Sequence, residues 1–271
     1  MQFGPCFAAT AVAEVEEWEL AQIPEPSGVV YHPIRNTLFV VGDEGHIAEV
    51  SISGDLLKSK NIGGDLEAVT CDPVSGLIYT VREGHETIFE IRPDDFKILR
   101  RFTIDRSYAG NANFLERGGD GIEGLTFKPE ADHAEGGRFF VVNQNDPPLL
   151  LEISVPIRSS KERFEIAEIV GVAKTGSGPL SGLFWDEETN VFLVLSSLWR
   201  SVYILDAGLG YRRTVKVPGI MLEGITRLPD GSIVMAQDTG GLIRWTPPAN
   251  PFMIADEDEQ EGRQEKRQGE D

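Results

Sequence analysis

The amino-acid sequence predicts an all-β fold, specifically a five-bladed β-propeller closed by an N-terminal strand. Three observations support this prediction. A hairpin pattern occurs five times, the copies are spaced by about one propeller blade, and the apolar periodicity of amphipathic helices is nearly absent. The last observation argues against folds that alternate helices with strands.

The hairpin has the same order of features in each copy. A Ser or Glu and then a small residue precede an apolar run, and a turn leads to a second β-branched or aromatic run. The second runs are TLFVV, LIYTV, RFFVV, VFLVL and SIVMA. A third short strand follows in every copy and a fourth follows in the first four copies. Each copy therefore predicts one propeller blade.

The spacing of the copies fits this interpretation. The small residue lies at positions 28, 68, 124, 182 and 224, which gives steps of 40, 56, 58 and 42 residues. A propeller blade takes ~40–45 residues, and insertions in loops account for the two longer steps.

The fifth copy lacks a fourth strand, whereas the segment EEWELAQI at 16–23 is a strand without a blade. We expect this N-terminal strand to complete the last blade, because an open ring would leave an exposed edge. The predicted domains are a leader or export-signal remnant at 1–15, the propeller at 16–248 and a disordered acidic tail at 249–271.

Charge and composition restrict the partners. The net charge is −19, with 44 acidic and 25 basic residues, so nucleic acid and anionic membranes are disfavoured and cations are favoured. Two cysteines exclude a disulfide framework. We expect a monomer.

The first strand of each blade lines the channel of a propeller, so equivalent positions at its start form a ring. These positions are Ser27, Glu67, Glu123, Ser181 and Glu223. Three carboxylates then converge, which is costly unless a positive group lies among them. The second strands end beside this ring with further oxygen-bearing side chains.

An oxygen-only ligand set predicts Ca²⁺ ahead of Mg²⁺, because calcium accepts six to eight oxygens in flexible geometry. The predicted metal ligands are Glu67, Glu123, Glu223, Asn143 and Asp43. The predicted contacts to a small-molecule or protein ligand are Arg82, Glu83, Gln144, Gln237 and Asp238. The alternatives are a structural ion pair in which Arg82 neutralises Glu67 or Glu123, and a basic group of a bound ligand.

The sequence resembles the SdiA-regulated family of bacterial proteins over nearly all of residues 17–247. The stretches that carry the resemblance are SGV…LFVVGDEGHIAEV, DLEAVTCDP and DGIEGLTF…FFVVNQN…LLLEI. The family is similar to NHL-repeat propellers and, more distantly, to phytase-like esterase domains. The resemblance implies five blades, a calcium site on one face and a position outside the cytoplasm, without an established activity.

Two classes of function follow. The first is a calcium-binding module that holds a ligand or partner, with recognition by the loops at 104–119 and 171–180. The second is a metal-dependent hydrolase or lyase, with Glu83, Glu44 or His85 as general base. No catalytic residue is assigned. We expect a periplasmic or membrane-associated extracytoplasmic location, with the cytoplasm as the alternative.

Overall fold

The computed structural model describes residues 13–115, 121–145, 147–175 and 178–254. These residues form twenty β-strands and no helix. The prediction of an all-β fold is therefore confirmed.

The strands fall into five units, each named here by its order along the chain. Unit 1 contains β2 (Pro26–His32), β3 (Thr37–Gly42), β4 (His46–Ser51) and β5 (Leu56–Asn61). Unit 2 contains β6 (Leu66–Cys71), β7 (Ile78–Arg82), β8 (Thr87–Arg92) and β9 (Lys97–Ile104). Unit 3 contains β10 (Ile122–Pro129), β11 (Gly137–Asn143), β12 (Leu149–Ser154) and β13 (Phe164–Lys174). Unit 4 contains β14 (Gly182–Asp186), β15 (Val191–Ser196), β16 (Ser201–Asp206) and β17 (Tyr211–Lys216). Unit 5 contains β18 (Leu222–Arg227), β19 (Ile233–Gln237), β20 (Leu242–Thr246) and, from the other end of the chain, β1 (Glu14–Trp18).

Each unit is an antiparallel sheet of four strands in sequence order, and β1 adds to β20 at the edge of unit 5. Units 2 and 3 are joined, since their last strands β9 and β13 pair in parallel along Phe164–Ala167. This pairing was not predicted from the sequence, because β10, β11 and β12 lie between the two strands along the chain.

The first strands of the units form a closed ring. Strand β2 contacts β6, β6 contacts β10, β10 contacts β14, β14 contacts β18, and β18 returns to contact β2. Apolar cores lie between every pair of neighbouring units, including units 5 and 1. Sheets arranged radially in this way around a channel form a β-propeller.

Small residues let the first strands approach closely around the channel. A Cβ atom added at Gly28 would lie 2.8 Å from the Cα of Ala68, and one added at Gly224 would lie 2.9 Å from the Cα of Gly28. The small residue of the repeat is therefore required by backbone contact between units.

Threonine hydroxyls further down the same strands connect neighbouring units. The hydroxyls of Thr70, Thr126 and Thr226 accept hydrogen bonds from the backbone N–H groups of Phe127, Trp185 and Tyr31, at 3.0, 2.9 and 3.0 Å. The last of these bonds joins unit 5 to unit 1. The ring is thus held by polar contacts as well as apolar ones.

The predicted leader and tail lie mostly outside the described residues. Strand β1 starts at Glu14, inside the predicted leader, and Phe252 is fully buried near Trp245, beyond the predicted end of the propeller at 248. Within the described ranges, no helix has the length and apolar character needed to cross a membrane. Cys71 is a buried free thiol.

Candidate functional site

β-Bulges position the predicted ring residues. The strand register shifts between Pro26 and Gly28, between Leu66 and Ala68, between Ile122 and Gly124, and between Leu222 and Gly224. The residues skipped by the ladder are Ser27, Glu67, Glu123 and Glu223, which are four of the five predicted ring positions. A bulge redirects the side chain of the extra residue. This is why these side chains are available at the mouth of the channel.

A repeated backbone hydrogen bond places the end of each second strand beside this ring. The N–H groups of Asp43, Glu83, Gln144 and Asp238 donate to carbonyls two positions before the ring residue, at 3.3, 2.9, 2.9 and 2.9 Å. In unit 4 the Ser196 hydroxyl donates to the Pro179 carbonyl instead, at 2.7 Å. The ends of the second strands therefore lie beside the starts of the first strands, where the ring residues are.

These residues enclose a cavity of about 390 Å³, which we call the acidic cup. Its walls consist of Ser27, Asp43, Glu44, Asp65, Glu67, Glu83, Glu123, Gln144, Glu223 and Asp238. Eight of these ten residues carry a carboxyl group, and none of the described lining residues is a lysine or an arginine.

Three carboxylates on one side of the cup are close enough to share one cation. Oxygens of Asp43, Asp65 and Glu67 lie within 4.8 Å of one another. Asp65 was not among the predicted ligands, and it lies two positions before its ring residue, Glu67. The signal was an acidic side chain at this position in the first two copies of the repeat, Glu25 and Asp65.

Burial raises the pKa values of the cup carboxyls. The pKa of Asp43 is raised to about 6, mainly by loss of hydration on burial. A hydrogen bond from Ser27 lowers this pKa, and the charges of Asp65 and Asp238 raise it. Loss of hydration, with the charges of Glu123 and Asp238, raises the pKa of Glu223 to about 8. These carboxyls resist ionisation because no positive group compensates them.

Glu67 and Glu123 are the most confined of these carboxyls. Burial is the main cause that raises the pKa of each, and the two side chains share a hydrogen bond. Glu67 is 7 % exposed and Glu123 is 8 % exposed. In the described part of the chain, neither forms an ion pair with Lys or Arg. Two buried carboxyls that share a hydrogen bond are not both ionised.

Seven of the ten predicted site residues line the cup, and Asn143, Gln237 and Arg82 do not. The Asn143 amide donates to the carbonyl of Pro147 at 3.1 Å, and the Gln237 side-chain oxygen accepts the N–H of Ile220 at 3.2 Å. These two side chains fix loops around the mouth. We therefore place them in the supporting wall.

Arg82 lies against an aromatic ring. Its guanidinium is 5.4 Å from the centre of the Phe89 ring, and its stem packs on Gly64. Among the described residues it forms no ion pair with Glu67 or Glu123. The alternative of a structural ion pair inside the cup is therefore wrong for these described partners.

The opposite mouth of the channel has different chemistry. It contains a cavity of about 260 Å³, which we call the apolar mouth, lined at the ends of the first strands by aromatic side chains, prolines and the Arg227 pair. Arg227 bonds Asp186 at 3.0 Å and Glu188 at 2.9 Å. Here the buried charge is neutralised by its own neighbours.

Fold and site together define a β-propeller with an acidic mouth at one end of its channel. The chain belongs to the SdiA-regulated family, whose model matches residues 9–230. No curated protein matches the chain. Among solved structures, that of Myxococcus xanthus glutaminyl cyclase is 16% identical, with a TM-score of 0.59 over 86% of this chain and 95% of that one. At this identity the likeness shows the fold alone.

Proposed function

We propose that the chain is a five-bladed β-propeller, closed by β1, that binds Ca²⁺ in the acidic cup. One observation carries the metal assignment: the carboxylate oxygens of Asp43, Asp65 and Glu67 converge within 4.8 Å. They do so in a cavity whose described walls contain no Lys or Arg. A cation that binds there offsets repulsion that the protein itself leaves uncompensated.

The donors of the cup fit calcium. All of them are carboxylate, amide or hydroxyl oxygens, which hard cations prefer over the nitrogen and sulfur ligands of zinc or copper. Mg²⁺ also demands a near-ideal octahedron, whereas Ca²⁺ accepts irregular shells that water completes. Asp43, Asp65 and Glu67 would hold the ion, with Glu123 hydrogen-bonded to Glu67 and with Glu223 also lining the cup.

The function that this site supports best is the binding of a ligand or partner at the calcium-loaded face, outside the cytoplasm. Extracellular modules use weak calcium sites with dissociation constants of about 10⁻⁴–10⁻³ M, which cytosolic calcium would not fill. The resemblance to the SdiA-regulated family supports the same compartment. In this role the ion keeps the mouth of the channel rigid.

A metal-dependent hydrolase or lyase is the second candidate. The observation in its favour is a carboxyl group, Glu223, whose pKa is raised to about 8 inside a cavity, as expected of an acid or base. The charge of the cup argues against phosphoesters, because eight carboxylates repel an anionic substrate. Turnover of lactones or carboxylic esters that EDTA abolishes would establish this candidate.

The test of calcium binding compares thermal unfolding of the full chain in Ca²⁺ and in EDTA. A ligand that binds only the folded state adds about 2.7 kcal/mol at a hundredfold excess over its dissociation constant, so the melting temperature should rise in calcium. Asp65→Asn removes one ligand charge, and we expect the calcium dissociation constant to rise by about tenfold or more.

Asp55→Asn is the matched control, because this aspartate lies in the β4–β5 turn beside Ser51 and Ser53, away from the cup. It should leave the calcium shift unchanged. Equal melting curves in Ca²⁺ and EDTA would refute the metal assignment.

A further inference from the structure

Exposed apolar side chains stand at one side of the acidic cup. Leu198 and Trp199, between β15 and β16, are 62% and 49% exposed, and Ile220 and Met221, just before β18, are 54% and 48% exposed. We call these four residues the rim patch. Scattered exposed apolar residues are ordinary, but a group of them beside a polar cavity is typical of a binding surface.

Hydrogen bonds tie the two segments of the rim patch together. The Ser197 N–H donates to the Ser181 hydroxyl at 3.0 Å, and that hydroxyl donates to the Leu222 carbonyl at 2.7 Å. The Lys216 ammonium also holds the Trp199 carbonyl at 2.7 Å. The segments at 197–200 and 220–222 are therefore neighbours.

The rim patch adjoins two cup carboxylates. Glu223 follows Met221 by two positions and is hydrogen-bonded to Ser197, and the Asp238 N–H donates to the Met221 carbonyl at 2.9 Å. The carboxylates proposed to hold calcium, Asp43, Asp65 and Glu67, come from units 1 and 2. The cup thus has a metal side and a side where carboxylates meet apolar side chains.

One calcium ion leaves much of the charge of the cup unbalanced. An ion held by Asp43, Asp65 and Glu67 leaves Glu223 and Asp238 of unit 5, and no lysine or arginine stands among the described residues that line the cup. A second positive group is therefore favoured over a neutral or anionic one.

We propose that the acidic cup and the rim patch together bind a small organic amine that carries an apolar group. The inference rests on the proposed function, in that Ca²⁺ occupies the metal side and leaves Glu223 and Asp238 to the amine. The ammonium group lies over these two carboxylates. The apolar group packs on Met221, Leu198 and the face of Trp199, which also attracts a cation.

Phenethylamine is the probe, because it joins an ammonium group to one aromatic ring. Calorimetric titration of the calcium-saturated full chain should show binding. Ethylamine lacks the ring, and 3-phenylpropanoate replaces the ammonium by a carboxylate. We expect ethylamine to bind at least about tenfold more weakly and 3-phenylpropanoate to give no binding heat.

Matched variants locate the probe. Trp199→Ala should raise the dissociation constant of phenethylamine by about fivefold or more and leave the calcium midpoint unchanged. Phe164→Ala, the same kind of truncation at a side chain on β13 that is 68% exposed, should change neither value. Met221→Gly provides a second test, because Met221 has a φ of 49° that glycine adopts without strain. This variant should fold and should still bind phenethylamine more weakly than the wild-type protein does.

The outcomes separate this proposal from the calcium assignment. A calcium-dependent melting shift without any phenethylamine binding would overturn the amine site and leave the metal site standing. Equal binding of ethylamine and phenethylamine, or no effect of Trp199→Ala and Met221→Gly, would also overturn it. Phenethylamine binding that both variants weaken, in a protein without a calcium shift, would support the amine site and refute the metal site.

Discussion

The two mouths of the channel are built from opposite ends of the same five strands, and they treat charge in opposite ways. At the apolar mouth, Arg227 is paired with Asp186 and Glu188. At the acidic cup, eight carboxylates meet without a described lysine or arginine in the walls. One end therefore pairs a buried arginine with carboxylates of the protein, and the other gathers carboxyl groups around a cavity.

This difference separates a mouth whose buried charges pair with one another from a mouth that is lined by carboxyl groups. At the apolar mouth Arg227 forms two ion pairs, although its Nε atom has no hydrogen-bond partner among the described residues, and threonine bonds connect the units. The acidic cup carries a cost in the free protein that a bound cation recovers. Such a cost is common at functional sites.

The largest expected effect comes from breaking the buried pair at the apolar mouth. Arg227→Met keeps most of the side-chain volume but leaves Asp186 buried without its cation, which should cost about 3–5 kcal/mol of unfolding free energy. Urea denaturation measures the loss. Glu188→Gln, at a side chain that is 65% exposed, is the control and should cost less than about 1 kcal/mol. Equal losses in both variants would mean that the pair is not the source of stability.

A smaller effect of opposite sign is expected at the acidic cup. Glu67→Gln removes the need to protonate a buried carboxyl on folding, so in EDTA at pH 7 it should stabilise the protein by about 1–3 kcal/mol. Denaturant midpoints in EDTA check this gain. Glu187→Gln, at an exposed residue of the apolar mouth, should stay within about 0.5 kcal/mol. Destabilisation by Glu67→Gln in EDTA would contradict the uncompensated charge of the cup.

The smallest expected effect uses a carboxylate outside both mouths. Burial opposes ionisation of Glu49, but hydrogen bonds from Arg35, Lys58 and Thr37 outweigh it and lower its pKa from 4.5 to about 2. Its contribution to stability is therefore present above pH 4.5 and is lost as the pH falls toward 2. The wild-type protein should lose roughly 1–2 kcal/mol more than Glu49→Gln between pH 6 and pH 3.

The same two pH values give Glu67→Gln the opposite result. A raised pKa costs stability at pH 6, where the unfolded carboxyl is ionised, and costs nothing at pH 3. Relative to wild type, Glu67→Gln should therefore lose more stability on acidification. If both variants changed in the same direction, the contrast between paired and unpaired carboxylates would be wrong.

The sequence was sufficient to predict the fold because each hairpin carries its own signal. The small residue at 28, 124, 182 and 224 is a glycine that the ring contacts require, and alternation of apolar residues places the strands. The parallel pairing of β9 with β13 was not predictable, because it joins the last strands of two units that lie far apart in the sequence. Local patterns contain no information about such distant edges.

The position of the site was easier to predict from the sequence than the set of residues that line it. Four of the five ring positions, Ser27, Glu67, Glu123 and Glu223, line the cup because bulges repeat with the hairpin. Asn143 and Gln237 look like ligands in sequence, yet their side chains hold loop backbone, and only the geometry decides this. Asp65 was missed because it precedes its strand, where a turn aspartate is ordinary. The rim patch comes from loops without any repeat signal.

The pairing of β1 with β20 joins residues that lie about 230 positions apart, for example Glu14 with Thr246. During synthesis at about 5–20 residues per second, β1 leaves the ribosome many seconds before its partner exists. Until β20 is made, unit 5 is incomplete, and the edge of β1 that later pairs with β20 has no neighbouring strand. Strand β1 is thus made long before the strand with which it pairs. Translation speed sets how long the chain remains open to unwanted pairing with other nascent chains.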